Sequence, residues 1–107
     1  MIRIPLRNLP SQELQVVLDG QECTISVYWR FELMFLDLTV GENIVCTGAI
    51  CRNGASITQF PSRYFKGSLH FWDVQGSMKP PQWNGLEDRY ALLYLADSEI
   101  VPPALMY

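Results

Sequence analysis

The sequence predicts an all-β protein: a single small antiparallel β-sandwich or barrel of about six or seven short strands, with extended apolar termini. Three observations carry that prediction. Apolar and polar residues alternate with period two through much of the chain, as they do in strands with one buried face. Turn dipeptides, Asp19-Gly20 and Asn53-Gly54 among them, recur between the alternating stretches. The 107 residues are 49% hydrophobic and 18% charged, with no repeat, linker or low-complexity tract. That composition suits one core and excludes a disordered chain. Residues 1–107 therefore read as one domain, with 1–10 an extended N-terminal arm and 97–107 an extended C-terminal tail.

The first hairpin is the most fully specified element. In Gln12–Leu18 the apolar positions are Leu14, Val16 and Leu18. After Asp19-Gly20, residues Cys23, Ile25, Val27, Trp29 and Phe31 alternate with Thr24, Ser26, Tyr28 and Arg30. Asp-Gly suits a two-residue type I′ turn, whose central residues both need positive φ. Such a loop pairs Leu18 with Gln21, Val16 with Cys23, Leu14 with Ile25 and Gln12 with Val27. Both apolar sets then fall on one face, so pattern and turn chemistry give the same register. Leu14, Val16, Cys23, Ile25 and Val27 are expected to be buried together.

A second hairpin is expected to join Met34–Val40 to Ile44–Cys51 through Gly41-Glu42-Asn43, with Asn43 in the left-handed region. It would pair Val40 with Ile44, Leu38 with Cys46, Leu36 with Gly48 and Met34 with Ile50. Asn53-Gly54 reads as a third turn that pairs Ile50 with Ile57. Ser68–Asp73 reads as a strand, with Leu69 and Phe71 on one face and a half-exposed His70 beside Trp72 on the other. Tyr90–Ala96 is apolar all round. It is either a central strand or part of a helix begun at Asn84-Gly85, and periodicity does not separate the two.

Two regions fall outside this pattern. Val74–Asp88 is long for an unstructured connection, and Trp83 within it favours docking onto something. The ends are proline-broken yet apolar, where polar frayed ends are the norm. Ile2, Ile4 and Leu6 at one end, Ile100, Leu105, Met106 and Tyr107 at the other, and Trp83 are the expected protein-interface residues. The competing expectation is that both ends fold back on their own sheet.

Charge and chemistry narrow the function classes. Eight Lys and Arg against eleven Asp and Glu leave a net charge of −3, with no basic patch, so nucleic acid is not an expected partner. No apolar run is long enough for a membrane span or a signal peptide, and a soluble protein kept in a cytosol is expected. Cys23, Cys46 and Cys51 are odd in number and lack a Cys-x-x-Cys pair, so buried free thiols are expected and a disulfide framework is not. A Cys₃His zinc site with His70, the only histidine, lacks the close ligand pairs of structural zinc sites. No metal, cofactor or catalytic residue is expected, because no nucleophile, base and orienting group converge and no phosphate-binding glycine loop occurs.

Several short features occur in order along the chain: Ile4-Pro5-Leu6, Leu18-Asp19-Gly20-Gln21, Tyr28-Trp29-Arg30, Phe35-Leu36-Asp37-Leu38, Gly48, Gly67-Ser68-Leu69 and Leu92-Leu93-Tyr94. In that order they resemble the small plug proteins of contractile-tailed phage baseplates, as found in a cyanophage and in many myovirus-like prophages. Phe35 departs from the tryptophan expected in many relatives. The resemblance implies a structural virion component, without an active site, at the central axis of the baseplate. It implies other baseplate, hub, spike or tail-tube proteins as partners, self-association in a symmetric ring, and assembly in the host cytoplasm. From the residues alone, the alternative is a stand-alone β-barrel binding module for a peptide or small ligand, with Trp29, Trp72 and Trp83 lining a pocket. A small enzyme using His70 is the third reading.

Overall fold

A computed structural model describes residues 2–54, 57 and 64–96. Among them are seven strands: β1 (Ile2–Ile4), β2 (Ser11–Leu18), β3 (Gln21–Arg30), β4 (Leu33–Val40), β5 (Asn43–Ile50), β6 (Ser68–Asp73) and β7 (Tyr90–Leu95). The only helical element among them is a single 3-10 turn at Trp83–Gly85. Strands β2-β3-β4-β5 form one antiparallel sheet in chain order, and β1-β7-β6 form a second. The inward residues of the two sheets meet in one core. Ile25, Val27, Leu36 and Leu38 come from the first sheet, and Leu69, Phe71, Leu92 and Tyr94 from the second. Of the sandwich or barrel that alternating strands and frequent turns predict, this is the sandwich.

The first hairpin has the predicted register throughout: Leu18 pairs with Gln21, Val16 with Cys23, Leu14 with Ile25 and Gln12 with Val27. Asp19 and Gly20 both take positive φ, at 52° and 75°, as the type I′ turn requires. Cys23, Ile25 and Val27 are buried, whereas Leu14 and Val16 are only half-buried. The difference is positional, because β2 is an edge strand and β3 has a neighbour on each side.

The second hairpin differs from expectation. Its loop has two residues, Gly41 and Glu42, so that Val40 pairs with Asn43 and Thr39 with Ile44. Gly41 takes φ +59° and Asn43 is not left-handed, the arrangement of a turn with glycine at its first central position. The pairing of Leu38 with Cys46 holds, but register shifts on either side of it place Leu36 opposite Ala49 and Phe35 opposite Ile50. Two bulges explain the change, since each adds residues to β5 that β4 does not match.

Asn53-Gly54 does not turn the chain back onto β5. It carries the chain across to the other sheet, where Asn53 bridges Phe71 in parallel and the Ile57 N–H donates to the Leu69 carbonyl at 2.8 Å. β7 is a strand and not a helix. It is the centre of its sheet, between β1 and β6, and is buried on both faces, which explains a sequence apolar all round. Leu69 and Phe71 face the main core, and Trp72 packs on the opposite face with Ala91 and Leu93, as predicted. His70 is buried, not half-exposed. Its Nε2 lies 2.8 Å from the Ser68 hydroxyl and its Nδ1 lies 2.8 Å from the Gly54 carbonyl oxygen, so the crossing segment covers it.

Candidate assembly surface

Three side-chain networks set the shape that any partner meets. The first lies on the outer face of the four-stranded sheet. Tyr28 and Phe35 pair across β3 and β4, with rings stacked at 5.8 Å and 19°. The Tyr28 hydroxyl donates to Asp37 Oδ1 at 2.9 Å, and the Gly48 N–H donates to the same oxygen at 2.7 Å. Gly48 has φ +63° in the β5 bulge, so Asp37 fixes the bulge that disrupts this edge strand.

The second network joins the sheets. Gln21, just after the first turn, donates through Nε2 to the carbonyls of Leu18 and Lys66 at 3.0 and 3.1 Å. Its Oε1 accepts from the Lys66 N–H at 2.7 Å, and the Tyr94 hydroxyl donates to the Lys66 carbonyl at 2.6 Å. Gly67 sits beside them with φ +98°, and a Cβ there would fall on the Tyr94 ring and the Leu95 carbonyl oxygen. Only glycine lets the chain pass this close to β7.

The third network organises the connection after β6. Asp73, fully shielded at the end of β6, accepts a two-pronged bond from Arg89 Nε and Nη2, each at 3.0 Å. It also accepts from the N–H groups of Gln75 and Lys79, at 3.0 and 3.2 Å. The hydrogen-bonding guanidinium holds its carboxyl down to about 2. The stretch from 74 to 89 is therefore a tethered loop, and Trp83 lies half-buried against the main core. No local sequence signal linked Asp73 to Arg89, which stand 16 residues apart.

The expected interface residues are placed unequally. Ile4 and Leu6 are inside this chain's own core, at 2% and 6% exposure. β1 pairs with β7, and Asn8 and Glu87 exchange reciprocal hydrogen bonds at 2.9 Å that hold the segment after it. Ile2 remains 49% exposed. Ile100, Leu105, Met106 and Tyr107 lie outside the described residues. The three tryptophans do not line one pocket: Trp29 and Trp83 pack against the main core, and Trp72 packs on the far face of the other sheet. Burial pushes the thiols of Cys23, Cys46 and Cys51 upward, most strongly for Cys51, which disfavours the reactive thiolate.

The most exposed apolar feature among the described residues was not anticipated. The apolar alternation of β3 continues in the sequence through Phe31, but β3 ends at Arg30, which pairs with Leu33. Phe31 and Glu32 form the two-residue turn between β3 and β4, with φ of 52° and 61°. Phe31 is 89% exposed at its tip. Beside this turn lies an apolar groove of about 410 Å³ lined by Leu33, Ile50, Cys51, Arg52, Asn53, Met78 and Pro80. Leu33, Ile50 and Met78 are themselves exposed, and Met78 also has positive φ, at 54°. Three segments distant in sequence meet in this groove, which is why periodicity gave no sign of it.

The architecture and the motif positions agree with one family. A family model described as cyanophage baseplate Pam3 plug gp18 matches residues 1–98. No curated protein matches the chain. The matched span takes in all seven strands and both sheets, together with the networks centred on Gln21, Asp37 and Asp73. The chain belongs to the cyanophage baseplate plug family, a family of structural proteins of the phage tail.

Proposed function

We propose that this chain is the axial plug of a contractile-tail baseplate, seated near the hub and tail tube and acting by protein–protein contact alone. The family match over residues 1–98 is the observation that carries this reading. The surface agrees with it, since a large aromatic, an apolar groove and a half-exposed Ile2 face outward on the sandwich. In this reading the chain assembles in the host cytoplasm and self-associates in a symmetric ring. Ile2, Trp83 and the apolar stretch from Ile100 to Tyr107 contribute contacts to neighbouring chains, and Ile4 and Leu6 anchor the strand that presents Ile2. Co-expression with the hub, spike and tail-tube proteins of the same phage tests the proposal. The chain should co-elute with at least one of them and be present in purified tails. Tails that assemble and contract normally without it would overturn the assignment.

A further inference from the structure

We infer that the Phe31-Glu32 turn of one copy seats in the Leu33/Ile50/Met78/Pro80 groove of a second copy. The inference deepens the plug reading, because it names the surface through which the chain would self-associate. Four observations on described residues carry it.

First, the turn is strained in order to display an aromatic. Both central residues are left-handed, a conformation that suits Asn and Gly and disfavours a bulky side chain. Phe31 nevertheless occupies the first position and makes almost no contact with its own chain. Strain at an exposed residue, uncompensated by packing within the chain, points to a contact made elsewhere.

Second, the groove has the chemistry of an aromatic receptor. Leu33, Ile50, Met78 and Pro80 supply apolar walls, and Met adapts its shape to an inserted ring. Its volume of about 410 Å³ is enough for an aromatic anchor with its flanking backbone.

Third, the charges are complementary. Glu32 stands next to Phe31 on the turn, Arg52 lines the groove, and Lys79 stands between Met78 and Pro80. The other cation near the turn, Arg30, already lies over the Tyr28 ring at 5.3 Å. A turn that inserts Phe31 brings Glu32 toward Arg52 on the groove wall, which fixes the orientation of the pair.

Fourth, knob and groove share one end of the molecule, since Leu33 belongs to both the hairpin and the groove wall. A surface that carries both halves of a contact is self-complementary. Copies set around one axis with these ends converging can then each offer the turn to the next copy's groove, the head-to-tail contact that closes a ring. A contact made by a two-residue turn and one groove is expected to belong to the small, weak class, and so to be concentration-dependent in the isolated protein.

Sedimentation velocity on the full-length protein over a wide concentration range tests this. Wild type should associate, and Phe31→Asn, which suits the left-handed position and keeps the fold, should weaken association about tenfold or more. Glu32→Arg and Arg52→Glu should each weaken it several-fold, and the two together should recover most of the loss. Circular dichroism unchanged from wild type shows that these variants are folded. A wild type that stays monomeric at every concentration, an unaffected Phe31→Asn, or no recovery in the double reversal would overturn the inference. Co-elution with hub or tube proteins is read separately, so the plug assignment survives or fails on its own measurement.

Discussion

Gly67→Ala is expected to be a severe change, and its magnitude follows from two separable effects. At φ +98° an L side chain is held in a sparsely populated region, which costs about 1–3 kcal/mol. The new methyl would also fall on the Tyr94 ring and the Leu95 carbonyl oxygen. Relieving that overlap means moving β7, the central strand of its sheet, and overpacking of this kind costs about 1–3 kcal/mol. The lower entropy of the unfolded alanine chain offsets about 0.4–1 kcal/mol. The net loss is about 1–5.5 kcal/mol, against the roughly 5–15 kcal/mol that holds a domain of this size together. Gly20→Ala is the control. Gly20 also has positive φ, at 75°, but nothing lies within 4 Å of its added Cβ, so it bears only the conformational cost. That variant should lose about 1 kcal/mol.

Urea titrations followed by tryptophan fluorescence would measure both variants. With a slope of about 1–3 kcal/mol per molar urea, the Gly67 variant should lose about 1–3 M in midpoint, and the Gly20 variant a fraction of that. The entropy offset is common to both, so the difference between the two reports the steric overlap at Gly67 together with any extra conformational cost of its larger φ. Losses that agree within about 0.5 kcal/mol would show that the chain does not pass against β7 at Gly67. The convergence of Gln21, Lys66 and Tyr94 would then be wrong as well.

Ile25→Ala, at a fully buried position between Leu14 and Leu38, should destabilise by about 2–5 kcal/mol by chemical denaturation; a loss under about 1 kcal/mol would refute the core. Replacing Phe31 with Asn and Glu32 with Gly gives the β3–β4 turn a favoured type I′ pair, and should raise stability by about 1–2 kcal/mol while weakening self-association. A less stable variant would show that the turn is not left-handed. Asp73 has its carboxyl lowered from 3.8 to about 2 in the folded state, so the stability it contributes is complete above about pH 4 and is lost as pH falls through 2. Urea midpoints measured from pH 6 to pH 2 should therefore fall less steeply in Asp73→Asn than in wild type, and parallel curves would refute the coupling to Arg89.

How much of this was legible in the sequence depended on whether one local signal sufficed. The first hairpin was legible to the residue because strand alternation and Asp19-Gly20 independently specify the same pairing. In the second, the two strands were legible but their register only at Leu38 and Cys46. Alternation counts residues but cannot count a bulge, and the bulge at Gly48 exists because Asp37, eleven residues earlier, accepts its N–H. The β3–β4 turn was missed because Phe31-Glu32 carries neither glycine nor asparagine, and the apolar alternation continues through it. Asn53-Gly54 misled for the opposite reason, since its turn chemistry is real but turns the chain toward another sheet. The candidate surface left no periodic trace, because residues 33, 50–53 and 78–80 become neighbours only after both sheets form.

The short features behind the family resemblance turn out to be residues that fix backbone. Gln21, Gly67 and Tyr94 come from three of those features and meet at one joint, while Tyr28, Phe35, Asp37 and Gly48 come from three others and meet at the β5 bulge. Each needs a particular hydrogen-bonding group, ring or missing Cβ, so each leaves a recognisable short motif. None of the groove-lining residues belongs to such a feature. Leu33, Ile50, Met78 and Pro80 need only be apolar and correctly placed, a requirement that many residues meet. The fold and the contact surface are thus specified by separate sets of residues. Exchanging the side chains at 31, 33, 50 and 78 should therefore change which neighbour the plug accepts without disturbing the sandwich that presents them. A baseplate component under that arrangement can keep one framework while its contacts follow those of its neighbours.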